Sequence, residues 1–204
     1  MKRIHLLAVI CATAAIAACS NESAPLKWTE DVRLPDGRVV TLTRYQEFKG
    51  WRNLGETPSV SDYWFEFKNP ATGQVVKWKS DRDLTTLALI MNEKVPELLV
   101  MPNFGGFDRK GCPNPPYLLY RYEELRWIQV PVDQISIKRL RVNMTFDPDA
   151  ERQHIKAANY RLTVDQTGNS EHDQRPFIIN FALMTQQTFK AENCGRTLDW
   201  LIEK

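Results

Sequence analysis

Asp62-Tyr63-Trp64-Phe65-Glu66-Phe67-Lys68, followed by Asn69-Pro70-Ala71-Thr72-Gly73 and then by Gln74-Val75-Val76-Lys77-Trp78-Lys79, is the stretch that decides the fold of this chain. Tyr63, Phe65 and Phe67 alternate with Asp62, Trp64, Glu66 and Lys68, a period of two that places one set of side chains on one face of a strand. The residues between the two runs are turn formers. Asn bonds its own backbone, Pro pre-sets φ and Gly accepts positive φ, so the segment predicts a β-hairpin.

Moving outward, the same grammar repeats. Trp28 to Leu34 and Arg38 to Phe48 flank Pro35-Asp36-Gly37, a second hairpin. Tyr117 to Tyr122 and Arg126 to Val130 flank Glu123-Glu124-Leu125, a third. Residues 84 to 101 read two ways. Leu84, Leu87, Ala88 and Met91 suit a helix face, whereas Thr85-Thr86 and the returning Leu98-Leu99-Val100-Met101 suit a hairpin around Asn92 to Pro96, which we favour. One helix is expected late, with Asp147 as N-cap, Pro148 in the first helical position, Asp149 and Glu151 favourable at the dipole's positive end, and its finish near Ala158. A last strand is expected at Phe177 to Leu183, with Phe177, Ile179, Phe181 and Leu183 on one face.

Successive hairpins and one late helix predict a mainly β (β-rich α+β) fold, an antiparallel β-meander arranged as a sandwich or a barrel. No repeat of fixed period accompanies the hairpins, which disfavours a propeller.

The N-terminus carries a different signal. Lys2 and Arg3 precede an apolar stretch from Ile4 to Ala18, broken by His5 and Thr13. At about 15 residues it is shorter than the roughly 20 that span a bilayer, so it reads as a secretory signal. Ile16-Ala17-Ala18-Cys19 resembles the lipobox of bacterial lipoproteins. The resemblance implies removal of residues 1–18 and acylation of Cys19, whose thiol forms the thioether. Each buried methylene contributes about 0.8 kcal/mol, so two or three chains make a stable anchor. Ser20, where an aspartate would retain the protein at the inner membrane, implies the periplasmic face of the outer membrane in a diderm bacterium. Residues 19–27 then read as the lipidated cysteine and a polar tether, and 28–204 as a single β-rich domain.

Loss of Lys2 and Arg3 leaves 25 of the 27 basic residues, matching the 25 acidic ones. A neutral mature chain of interspersed charge argues against a nucleic-acid partner and against a polybasic membrane patch. Of the four cysteines, Cys11 leaves with the signal and Cys19 is acylated, which leaves Cys112 and Cys194 for one disulfide in an oxidising compartment. Closing a loop of about 80 residues would contribute on the order of 4 to 5 kcal/mol by chain entropy.

Catalytic and metal signatures are missing from the sequence. Asp147, Asp149 and Glu151 copy the opening of a calcium loop, but Arg152 stands where its turn needs glycine. There is no Gly-x-Ser-x-Gly elbow, His154 and His172 sit in polar surroundings, and Gly105-Gly106 lacks the lysine and hydroxyl of a phosphate-binding loop. We therefore expect no cofactor, no metal and no catalytic residue.

Two features invite a binding role. The loop from Pro102 to Pro116 holds Phe104, Phe107 and Arg109 and would be stapled at Cys112; long ordered loops on rigid β-scaffolds commonly form binding surfaces. Trp51 lies in Lys49-Gly50-Trp51-Arg52-Asn53, between strand signals, where it either packs over the core edge, the reading we favour, or stacks on a sugar or anchors a protein. The stretch from Gly111 to Tyr122, with Trp127-Ile128-Gln129-Val130-Pro131, looks like a segment of uncharacterised proteobacterial envelope proteins, which implies a periplasmic setting and no activity. The expected role is a non-enzymatic, lipid-anchored binding or accessory protein engaging an envelope protein or a cell-wall component. Alternatives are an inhibitor or immunity lipoprotein against a secreted hydrolase, and an envelope hydrolase or small-ligand carrier.

Overall fold

The computed structural model describes residues 25–49, 59–80, 83–103, 106, 108–113, 115–135, 137, 139–145, 152–167, 169–170, 173–176 and 178–180. The elements in chain order are β1 (Leu26–Arg33), β2 (Val39–Lys49), β3 (Ser59–Lys68), β4 (Val75–Ser80), β5 (Leu84–Asn92), β6 (Val95–Pro102), β7 (Leu118–Glu123), β8 (Arg126–Val130), β9 (Arg139–Arg141), α1 (Arg152–Ala157), β10 (Arg161–Leu162), β11 (Asn169–Ser170), β12 (Asp173–Pro176) and β13 (Ile178–Asn180). Among the described residues the fold is mainly β with one short late helix, the class that the alternation predicts.

The strands form two principal sheets. One has five strands in the order β10-β1-β2-β3-β4 and the other four in the order β5-β6-β7-β8, with β9 and β13 pairing separately. Within each sheet, β1 to β4 and β5 to β8 are plain antiparallel meanders, while β10 joins β1 in parallel through Thr29↔Arg161 and Glu30↔Leu162. The expected turns are in place. Asp36 Oδ1 accepts the Arg38 backbone N–H at 3.0 Å, Gly37 takes φ 88°, and Arg38 Nε donates to Asp36 Oδ2 at 2.7 Å. In the next hairpin, Asn69 Oδ1 accepts the Ala71 N–H at 2.9 Å and Gly73 takes φ 74°.

The ambiguous segment 84 to 101 is a hairpin, turning at Glu93 with φ 54°. The helical alternative loses because both faces of this sheet are covered. Leu89, Met91, Leu98, Val100 and Leu118 pack inward against Val32, Leu42, Phe65, Phe67, Val76 and Trp78 of the five-stranded sheet. On the opposite side, Leu87, Ala88, Ile90, Leu99 and Leu119 pack against Leu140, Val142 and Ile179. A strand buried on both faces has no polar face and reads as a continuous apolar run. A third small cluster, Leu26, Trp28, Tyr63, Ile155 and Leu162, seats α1 and β10 at one end.

The arrangement is a sandwich whose seams are closed by side chains. Along the β1/β5 seam, Asn143 acts as a surrogate strand residue. Its Oδ1 accepts the Leu89 N–H at 3.0 Å, while its Nδ2 donates to Leu89 O and to Arg33 O, each at 2.9 Å. A register shift at Leu87 frees that residue's carbonyl to accept the N–H groups of Asn143 and Met144, both at 3.2 Å. Across the β4/β8 seam, Trp127 Nε1 donates to Lys77 O at 2.7 Å and its ring meets Trp78 edge-on, 5.4 Å between centroids.

The helix is present over Arg152–Ala157 and is followed by Asn159 and Tyr160 at φ 52° and 58°, the left-handed pair that ends it. Its expected start, Asp147 to Glu151, lies outside the described residues. Of the expected strand Phe177 to Leu183, the part 178–180 is described and pairs with β9; the remainder lies outside.

Candidate functional site

Loop 102 to 116 leaves β6 and is tied back to Asp83, just ahead of β5, through Asn103 and Arg109. Asn103 N donates to Asp83 O at 2.8 Å, and Gly106 N is shared by Asn103 O and Oδ1 at 2.9 and 2.8 Å. Gly106 sits so close to Asp83 that an added Cβ would lie 2.4 Å from Asp83 O, so only glycine fits without a backbone shift. Arg109 then grips the Asp83 carboxylate with both arms of its fork, Nε to Oδ2 at 2.5 Å and Nη2 to Oδ1. Asp83 is buried and Arg109 half-exposed. A bidentate pair of this kind fixes geometry as well as charge.

A 3-10 turn over Asp108–Lys110 follows, held by Lys110 N donating to Gly106 O at 2.9 Å. Gly111 and Cys112 continue at φ 74° and 50°, and Cys112 Sγ lies 3.6 Å from Asp108 Oδ1. The chain then runs through Pro115 into buried Tyr117, whose hydroxyl burial holds well above the ordinary tyrosine range. Beside this return leg lies an open groove of about 360 Å³, lined by Pro113, Pro115, Tyr117, Leu118 and, across it, Gln129 to Val132. Among the described residues its walls carry no charged side chain.

Of the residues singled out from sequence, Arg109 is placed as a brace between loop and core. Cys19, Trp51, Phe104, Phe107 and Cys194 lie outside the described residues, and so does His172; Cys112 lies in the loop. His154 lies on α1, half-buried.

Sequence reasoning missed a buried polar cage between the two sheets. Arg44 and Glu30 form an ion pair at the sandwich interior, each fully enclosed. The guanidinium lies 5.1 Å from the Trp28 ring centroid and 4.8 Å from that of Tyr63, and Nη2 donates to Thr86 Oγ1 at 3.2 Å. Burial pulls the Arg44 pKa down and Glu30 opposes that fall. Arg44 Nε and Gln46 Oε1 are buried without a hydrogen-bond partner. The signal was in the parity: Trp28, Glu30 and Val32 share one face of β1, and Leu42, Arg44 and Gln46 one face of β2. The ion pair joins β1 to β2 within one sheet, and the Arg44–Thr86 hydrogen bond ties it to β5 of the other.

Among the described residues no group of three His, Cys, Asp or Glu side chains converges on a metal position, and no helix is long and apolar enough to cross a membrane. No family model matches the chain, and no curated protein and no solved structure resembles it at a significant level.

Proposed function

We propose that this chain is a lipid-anchored binding or accessory protein of the bacterial envelope, held on the periplasmic face of the outer membrane through acylated Cys19. It engages an envelope protein at the groove beside loop 102 to 116. The observation that carries this reading is the bracing of that loop. Asp83, Asn103, Gly106 and Arg109 hold one another in place before any partner arrives, so binding does not bear the cost of ordering them. A bridge from Cys112 to Cys194 would add a second tie.

Groove chemistry favours a protein segment over a glycan. Proline, valine and leucine walls suit apolar side chains, whereas sugar stacking needs exposed ring faces, and the Tyr117 ring is buried. On the open face of the five-stranded sheet the Tyr45 ring is already covered: Trp64 stacks on it at 3.6 Å, and Lys27 Nζ lies over it at 4.9 Å.

The test is in-cell crosslinking and recovery of the lipidated protein from envelopes, wild type beside Gln129→Lys, which puts a charge on an exposed position of the groove wall, with mass spectrometry of what accompanies each. One dominant, stoichiometric protein that is lost with Q129K at unchanged melting temperature is expected, and its identity separates an accessory subunit from an inhibitor's target. Glycan or lipid without a protein partner, or equal recovery with Q129K, would contradict the reading.

A further inference from the structure

A second concavity, of about 250 Å³, lies where the end of β1, strand β9 and the turn after β10 meet, and it has the opposite character. Arg33 closes β1, and Arg139 and Arg141 stand two residues apart on β9, on the side opposite buried Leu140. All three arginines are exposed and all three line the same cleft, whose lining among the described residues contains no carboxylate. The chain without residues 1–18 is neutral overall, so three guanidiniums gathered from sites more than 100 residues apart are a local concentration.

The cleft wall is stiff. Asn143 is committed through Nδ2 to Arg33 O and Leu89 O, and Thr167 Oγ1 lies within reach of both Asp31 O and Val164 O at 3.1 Å. With those donors already engaged, recognition falls to the guanidiniums. Arg139 and Arg141 each already hold an interaction within the chain, and five N–H donors per guanidinium leave others for a ligand. Like charges in one concavity repel, and low-dielectric walls focus their field on whatever enters. An oxyanion relieves that repulsion, and the planar fork matches phosphate oxygens in pairs.

We propose that this cleft binds a phosphate group. Its volume lies below the roughly 300 to 1,000 Å³ of drug-sized pockets, which suits a phosphate or the head of a phosphorylated small molecule and excludes a whole nucleotide. The group has two possible sources, a free phosphate compound and a phospholipid headgroup.

The test is calorimetric titration of the full chain with inorganic pyrophosphate and, separately, with soluble dihexanoyl phosphatidic acid. Wild type, Arg139→Gln/Arg141→Gln, Arg33→Gln and a control pair from the open sheet face, Lys77→Gln/Lys79→Gln, are compared. Wild type and control should bind at least one ligand with affinity that falls as salt rises. The β9 double variant should lose about tenfold or more and R33Q less, with melting temperatures preserved because the side chains are exposed. Stronger binding of pyrophosphate assigns the site to free phosphate compounds, and stronger binding of the phosphatidic acid assigns it to a headgroup. No heat with either ligand, or equal affinity in wild type and R139Q/R141Q, would overturn the proposal. These outcomes are independent of whether the groove beside loop 102 to 116 holds a partner.

Discussion

The two sheets of this sandwich differ in how many faces they bury. The five-stranded sheet turns one face inward and leaves the other to Lys27, Thr41, Tyr45, Glu66, Lys77 and Lys79, several of them paired, such as Lys79 with Asp62 at 2.8 Å. The four-stranded sheet is enclosed by one hydrophobic cluster on each side. The lesson concerns what a sequence can display. A half-buried strand writes its orientation as an alternation, and a doubly buried strand erases it.

The buried ion pair is where the contrast can be broken most severely, because it makes the inward face of the five-stranded sheet partly charged. Glu30→Ala leaves the Arg44 guanidinium enclosed without its counter-charge, and we expect a loss of about 3 to 5 kcal/mol in chemical denaturation. Replacing both partners by methionine should recover most of it; a double variant as unstable as the single one would show that the cage contributes more than charge compensation.

Parity sharpens the comparison. Leu98 and Leu99 are neighbours on opposite faces of β6, and truncation of either to alanine should cost about 2 to 5 kcal/mol. On β2 the same neighbours behave differently: Leu42→Ala costs a similar amount, whereas Thr43→Ala stays within about 0.5 kcal/mol. A near-neutral Leu99→Ala would mean that the outer face of the four-stranded sheet is not a core.

Asn143 tests the seam between the sheets. Asn143→Ala removes three side-chain hydrogen bonds and strands backbone groups of Leu89 and Arg33, so a loss of about 3 kcal/mol is expected in thermal or urea unfolding. A loss below about 1 kcal/mol would show that water satisfies those groups as well.

The smallest effect is one of pH. Burial raises the Tyr117 pKa above its ordinary 10.0, so the unfolded chain releases this proton first as pH rises. Its contribution to stability is therefore complete below pH ~10 and declines above it, at up to about 1.4 kcal/mol per pH unit. Subtracting the pH profile of Tyr117→Phe from that of wild type isolates this residue, and parallel profiles above pH ~10 would contradict its burial.

Legibility followed the same physics. The hairpins at Pro35-Asp36-Gly37 and Asn69 to Gly73 were readable because side-chain alternation and turn chemistry agree there. Residues 84 to 101 were ambiguous because Leu87 to Met91 are all buried, and the register shift at Leu87 disturbs what parity remained. Strands β9 and β10, three and two residues long, carry no propensity signal; Arg139-Leu140-Arg141 becomes a strand because β13 pairs with it. Loop 102 to 116 was visible as a loop, but its brace joins Asp83 to Arg109 across 26 residues, a contact made only by the fold. The arginine cleft spans more than 100 residues and left no local trace.

The most direct measurement is site-specific photocrosslinking in living cells, with the photoreactive residue placed at Gln129 on the groove wall or at Thr41 on the open sheet face. Adducts to one envelope protein from Gln129 and none from Thr41 are the expected result. Adducts from Thr41 with none from Gln129 would contradict it, because the partner would then lie on the solvated face of the five-stranded sheet.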